Sequence, residues 1–288
     1  MRFTTAVRLS VLIALLAVPA DALAAGAVRT SSVTGRLVVP GGGPRTMRLQ
    51  CPSNTVALNG AVTRRGSGVV VRRSTPGSDP DSWSFRVAAS GSGSRTVNAV
   101  LRCVRLEIPV RLGVARLHVR TRIRHIVPVP AGATATVELA CGSAWSGTGY
   151  GFAADGPGNV RLASVMPTGH GWRFTLENTG AAGARAGVSA RCLRTRVTTS
   201  RGSTLDFRVA SRAATNTVGP GADRSFSRSC GDRFSLATGS SVDPADSIEL
   251  ALSSPLGGSR GHWTFANASA GDQVQSFLAC LSRASRFH

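Results

Sequence analysis

The chain has 288 residues, and its 34 basic residues outnumber 14 acidic ones, giving a formal net charge of +20. Six cysteines without a Cys-x-x-Cys spacing, and no histidine at an equivalent place in the repeats described below, argue against a structural zinc site. A bilayer span needs about 20 apolar residues, and no run reaches that, so no transmembrane segment is expected in the mature chain.

The first element reads as a secretory signal peptide over residues 1–24. Arg2 and Arg8 supply the positive start, residues 9–18 the apolar core, and Ala22, Leu23 and Ala24 a small-x-small cleavage site near Ala24. No cysteine follows the apolar run, so a lipid anchor is not expected, and residues 285–288 carry no anchoring tail. The mature protein is expected to be secreted or associated with the cell envelope, where cysteines pair.

Beyond the leader one set of residues recurs three times: Cys, Ser-x-Pro or Ser-x-x-Pro, Trp-x-Phe, and an alternating strand ending in a second Cys. The members are Cys51, Ser74, Pro76, Trp83, Phe85 and Cys103; then Cys141, Ser164, Pro167, Trp172, Phe174 and Cys192; then Cys230, Ser253, Pro255, Trp263, Phe265 and Cys280. First cysteines are 90 and 89 residues apart, the tryptophans 89 and 91, and second cysteines 89 and 88. Three landmarks keeping one period identify a tandem array of one small unit. The expected units are 25–112, 113–200 and 201–288. Six cysteines allow 15 pairings. Pairing within each copy gives three equivalent bridges, Cys51 to Cys103, Cys141 to Cys192 and Cys230 to Cys280. Pairing between neighbours leaves Cys51 and Cys280 without equivalent partners. Each bridge closes a loop of about 50 residues, worth on the order of 4 kcal/mol in the chain-entropy model.

Within a copy the signals are those of strands. Proline and glycine in the lead-ins (Pro40 and Gly41; Pro130 and Gly132; Pro220 and Gly221) predict a turn feeding a strand that ends at the first Cys. Gly60, Gly149 and Gly239 follow the first Cys by eight or nine residues and predict a bend or bulge. The Ser–Pro element closes the next strand. A variable loop follows (77–82, 168–171 and 256–262), and Trp-x-Phe opens a strand with both rings on one face. The closing strand alternates, as in Val97, Ala99, Leu101 and Cys103, which puts the sulfur on the apolar face. A Trp packed on a disulfide is a β-sandwich core. Here Trp follows the first Cys by 32, 31 and 33 residues, unlike immunoglobulin domains. The expected fold is all-β, three tandem antiparallel β-sandwich-like modules with one disulfide each.

The run from Cys51 through Pro52, Ser53, Asn54, Thr55, Val56, Ala57, Leu58, Asn59 and Gly60, with Ser-x-Pro, Trp and the closing strand into Cys, resembles exported actinobacterial Cys-Trp-Cys β-repeat modules. Those read Cys-Pro-x-Gly-x-x-x-Leu-Gly-Gly-Gly at this place. Here Asn59, Gly60 and Ala61 replace the glycine run, and the second and third copies lack the proline. The resemblance implies an exported, disulfide-linked, β-rich protein and no catalytic residue.

What the copies do not share is where function is sought. All 34 basic residues are arginine, as in GC-rich genomes. Residues 25–112 carry 13 arginines and 3 acids, 113–200 carry 10 and 3, and 201–288 carry 9 and 7, so the charge falls from +10 through +7 to +2. A basic exported chain is drawn to polyanions. In residues 116–124, Arg116, His118, Arg120, Arg122 and Arg124 alternate with Leu117, Val119, Thr121 and Ile123. As one strand this would present a cationic face able to track phosphates or carboxylates; the structural alternative is an arginine-protected sheet edge. Trp145 and Tyr150 lie in a glycine-rich stretch, 142–151, found only in the second copy. They read as an aromatic loop for carbohydrate or a partner, or as a local core cluster. The five histidines are scattered, no Gly-x-Ser-x-Gly or His-Glu-x-x-His occurs, and Asp79 with Asp81 is too small a set for calcium. No catalysis, cofactor, metal or specific nucleic-acid partner is expected. The expected role is binding or structure at the cell envelope, with the basic first two copies on anionic cell-wall polymer. The alternative is a soluble adhesin or inhibitor that meets another exported protein through the loops before each repeated Trp.

Overall fold

A computed structural model of the protein describes residues 30–63, 69–89, 91–110, 113–154, 159–219, 223–230, 236–243, 248–256, 260–267 and 272–287. The signal-peptide reading lies outside them. Every regular element among them is a strand. The first copy contributes β1 (Thr30–Val39), β2 (Pro44–Gln50), β3 (Thr55–Thr63), β4 (Val69–Pro76), β5 (Ser82–Ala89) and β6 (Arg95–Arg105). A hairpin of β7 (Glu107–Val110) and β8 (Gly113–Arg116) leads to β9 (Val119–Val129), β10 (Thr134–Ala140), β11 (Trp145–Ala153), β12 (Val160–Pro167), β13 (Gly171–Asn178) and β14 (Ala184–Arg194). Short β15 (Arg196–Thr198) then leads to β16 (Thr204–Val218), β17 (Asp223–Ser229), β18 (Leu236–Asp243), β19 (Ile248–Leu256), β20 (Arg260–Asn267) and β21 (Asp272–Phe287).

One strand order occurs three times. The first strand of a copy pairs with its sixth and the sixth with its third, giving β1-β6-β3, β9-β14-β11 and β16-β21-β18. The second pairs with the fifth and the fifth with the fourth, giving β2-β5-β4, β10-β13-β12 and β17-β20-β19. All ladders are antiparallel. The expected bridges are present, with Cα–Cα distances of 5.7, 5.7 and 5.6 Å.

The period-two reading of the closing strand holds because one face of each three-stranded sheet meets the other sheet. In the first copy Val97, Ala99, Leu101 and Cys103 from β6 are fully buried with Trp83, Phe85 and Val87 from β5. In the second, Ala186, Val188, Ala190 and Cys192 from β14 meet Trp172, Phe174 and Leu176 from β13. A β-bulge interrupts the third strand of every copy, where the register skips Leu58, Thr148 and Thr238. Gly149 and Gly239 directly follow the bulge, but in the first copy that place is Asn59. Gly60 comes one residue later, so the three glycines are not equivalent. A Cβ on Gly60 would strike the Trp83 ring, and one on Gly149 would strike the Leu58 carbonyl oxygen of the neighbouring copy. The Ser–Pro element also shifts: Pro76 and Pro167 pair opposite Trp83 and Trp172, whereas Pro255 pairs opposite Gly261 and Ser253 faces Trp263.

The copies are not strung as separate beads. β4 hydrogen-bonds to β11, through Ser74 opposite Phe152 and Arg73 opposite Ala153. β19 pairs with β3, through Leu252 opposite Thr63. β12 lies beside β18. The fourth strand of each copy therefore meets the third strand of the next, and the last copy returns to the first. The closed ring encloses a third apolar cluster. Val104, Leu193 and Leu281, the residues after each second Cys, are all at most 1% exposed and meet there with Leu58, Ala115, Leu117 and Phe207. Those positions face away from the disulfides, so both faces of the closing strands are buried at this end.

Candidate functional site

Residues 116–124 do not form the single alternating strand that the sequence predicts. β8 ends at Arg116, Leu117 and His118 lie between strands, and β9 begins at Val119. The break has a packing cause: Ala115 and Leu117 are both drawn into the central cluster. A second interruption follows, since Arg122 pairs opposite Ala190 but His125 pairs opposite Val188, leaving Ile123 and Arg124 against the single residue Ser189. The alternation is thus interrupted twice, and the side chains of Arg122, Ile123 and Arg124 lie outside the described residues. Arg116 and His118 are exposed, and Arg120 is turned toward another element.

That element is Trp145. The glycine-rich stretch 142–151 is largely strand β11 and not a loop. Trp145 is half-buried against the second copy's core. The Arg120 guanidinium carbon lies 4.1 Å from the Trp145 ring centroid, and its Nη2 donates to the Cys141 carbonyl oxygen at 2.7 Å. A cation over an indole face is attracted by the ring quadrupole. Tyr150 is a core residue: its ring stands 5.1 Å from Trp172 and 6.3 Å from Phe174. Two sequence candidates, Arg120 and Trp145, are thus brought together, and Tyr150 is separated from them.

Ala144, next to Trp145 in the chain, lines a cleft of about 410 Å³ with Ser143, Thr195, Arg196, Asp206 and Phe207. Arg196 holds Asp206 through two donors, Nε to Oδ1 at 2.7 Å and Nη2 to Oδ2 at 3.2 Å. That hydrogen bond, then the carboxylate's charge, raises the Arg196 pKa above its usual value. Thr195 donates its backbone N–H and its hydroxyl to the Ala144 carbonyl, tying β11 to the segment between β14 and β15.

Two buried arginines were not singled out by the sequence. Arg102 and Arg191 each precede the second Cys of their copy and are 2% and 1% exposed. Arg102 donates to Ser32 at 3.0 Å and Arg191 to Thr121 at 2.6 Å, the residue directly opposite in each case. Arg191 also crosses into the first copy, reaching the Ser82 carbonyl at 3.5 Å and approaching the Trp83 ring at 5.9 Å. Burial pulls its pKa down to about 10, with Asp81 opposing the shift. Burial also lowers Arg102. In the third copy Ala279 holds this place. The sequence signal was available: Arg, Arg and Ala stand before the second Cys at positions whose strand phase faces away from the disulfide.

The loop 77–82, a candidate partner surface, is folded onto its own copy. Asp81 and Pro80 carbonyls accept from the N–H groups of Cys51 and Ala57, Arg48 pairs with Asp79, and Gln50 donates to Asp81 at 3.0 Å. Among the described residues no group of three or more His, Cys, Asp or Glu could hold a metal ion, and no helix is long and apolar enough to cross a membrane. No family model and no curated protein matches the chain.

Proposed function

We propose that the protein is an exported, non-catalytic binding protein of the cell envelope whose first two copies engage anionic polymer. The observation that carries this reading is unneutralised surface charge. Arg36, Arg45, Arg95 and Arg105 in the first copy, with Arg116, Arg185 and Arg194 in the second, are exposed, and none joins a carboxylate among the described residues. Over residues 201–288, by contrast, 9 arginines face 7 acids. Guanidinium groups form bidentate bonds with carboxylate and phosphate, so an arginine surface suits wall polymers bearing either. Three disulfides suit an oxidising compartment.

The test uses the full mature chain, because Leu281 and Phe207 share a core with Val104 and Leu193. The protein is expected to sediment with isolated cell walls at low salt and to be released by moderate salt, as exposed charges are screened over about 10 Å at 0.1 M. A variant with Arg36, Arg45, Arg95 and Arg185 all changed to glutamine is expected to stay in the supernatant. If it sediments like the wild type, the charge reading fails.

A further inference from the structure

The second copy departs from the repeat at one place where several departures converge. Arg120 stands opposite Cys192, but Ser31 stands opposite Cys103 and Ala210 opposite Cys280. Trp145 stands opposite Arg194, where the first copy has Thr55 opposite Arg105. The disulfide and the Trp-x-Phe core recur because each copy needs them to fold. The first copy folds with a serine and a threonine at these places, so the fold does not require the Arg–Trp pair.

The pair is held ready for a ligand. The Trp145 ring at 4.1 Å and the Cys141 carbonyl at 2.7 Å fix the Arg120 guanidinium in an exposed position. One of its five N–H donors is used there, and the others have no partner among the described residues. A free arginine side chain loses about 2 kcal/mol of rotamer entropy when it is immobilised, and here that loss precedes binding. Arg194 lies directly across the ladder from Trp145 and therefore on the same face, with Cβ atoms of such neighbours about 5 Å apart. It too is exposed and joins no carboxylate. The acid of the adjoining cleft, Asp206, is already taken by Arg196. Arg120 on the indole ring and Arg194 across the ladder from it thus have no carboxylate partner among the described residues.

We propose that Arg120, held on the Trp145 ring, and Arg194, across the ladder from it, bind one oxyanion of an acidic glycan, and that the sugar ring bearing it enters the adjoining cleft. The cleft's lining suits a sugar better than a bare ion. Ser143 offers a hydroxyl, the Arg196–Asp206 pair a polar wall and Phe207 an apolar one. Its volume of about 410 Å³ falls in the range of small-molecule sites. The proposal rests on the envelope-binding reading and names the ligand chemistry of one site within it. A carboxylate and a phosphodiester share the chemistry that the two guanidiniums recognise.

The test titrates the full mature protein with trigalacturonate, a glycerol phosphate trimer and neutral galactotriose, by calorimetry and by tryptophan emission. The chain has four tryptophans, so only the part of the quenching that is lost in Trp145→Phe is read as binding at this site. Trigalacturonate is expected to bind with an affinity that falls as salt rises. The glycerol phosphate trimer is expected to bind more weakly, because it lacks the ring, and galactotriose more weakly still. Arg120→Gln and Arg194→Gln are each expected to weaken trigalacturonate on the order of tenfold, as for the loss of one charge-assisted hydrogen bond. Arg194→Gln touches no core residue and stays informative if Arg120→Gln unfolds. Binding of neither anion, equal binding of galactotriose, or full affinity in Arg194→Gln would overturn the proposal. Wall sedimentation separates the two readings. Walls bound by the wild type and equally by Arg194→Gln leave the envelope reading standing and this site refuted. Trigalacturonate bound through Arg194 without any wall binding does the reverse.

Discussion

At the junction of copies one and two, β4 hydrogen-bonds to β11 and Arg191 crosses to Ser82 and Trp83. At the junction of copies two and three, β12 lies beside β18 with no shared ladder among the described residues, and Ala279 occupies the place of Arg191. Ala279 packs into the cluster that holds Trp172 and Phe174. The same strands thus meet by a buried, hydrogen-bonded cation at one seam and by apolar contact at the other. An arginine that must find Thr121 and the Ser82 carbonyl together fits one register, because any other leaves a buried charge unmet. A methyl group against aromatic side chains imposes no such condition.

The largest expected effect comes from deleting that cation. Arg191→Ala is expected to destabilise the chain by about 3–5 kcal/mol in urea denaturation, since it empties a buried volume beside Trp83 and removes the donor to Thr121 and the Ser82 carbonyl. Arg191→Met, which keeps the volume, should cost distinctly less. A loss under about 1 kcal/mol for the alanine variant would show that the cation does not lock the seam.

The pH dependence of the same seam is somewhat smaller. The folded chain holds the Arg191 proton less tightly than the unfolded chain, with a pKa of about 10 against an ordinary arginine. The unfolded state therefore binds more protons above pH 10, and this site's contribution to stability rises with pH across that window. Below pH 10 the full penalty is present, on the order of 3 kcal/mol. Wild type compared with Arg191→Met should gain relative stability between pH 9 and about 11.5 in paired urea titrations. A constant difference would place the guanidinium in water.

A third comparison sets the two tryptophans side by side. Trp83 donates to Ser74 at 3.0 Å, whereas the buried Trp172 Nε1 has no partner among the described residues. The register explains it: Ser74 stands opposite Phe85, but Val165 stands opposite Phe174, because the second copy spaces its Ser and Pro one residue further apart. Ser74→Val is expected to cost about 1–3 kcal/mol by orphaning the Trp83 N–H. Val165→Ser should come out nearer neutral, a hydrogen bond offsetting lost apolar burial. Equal losses in both variants would contradict the assignment. The smallest effect is expected at the surface, where Arg196→Gln should leave the urea midpoint close to that of the wild type, its side chain being 68% exposed.

Strands, bridges and the buried Trp-x-Phe pairs were legible because a period of two and a repeat near 89 residues both point at one face. The opposite face was not. Whether Val104, Leu193 and Leu281 are buried depends on elements about 90 residues away, which alternation within one strand does not report. The segment 116–124 shows the same limit in reverse. Its alternation is strict in sequence, yet Leu117 leaves the ladder for a core built by three copies. Of the candidate site, Arg120 and Trp145 were each legible as oddities of the second copy, but their meeting required the ladder of β9, β14 and β11. Arg191 was hidden because a buried arginine and a surface arginine look alike in a chain that carries 34 of them.

The pairing of β19 with β3 has one more consequence. An open solenoid can lengthen by whole repeats, since its end always offers a free surface to the next unit. Here the edge that a fourth unit would need is already taken by the third. A unit added after the third would have to break the pairing of β19 with β3 before it could dock.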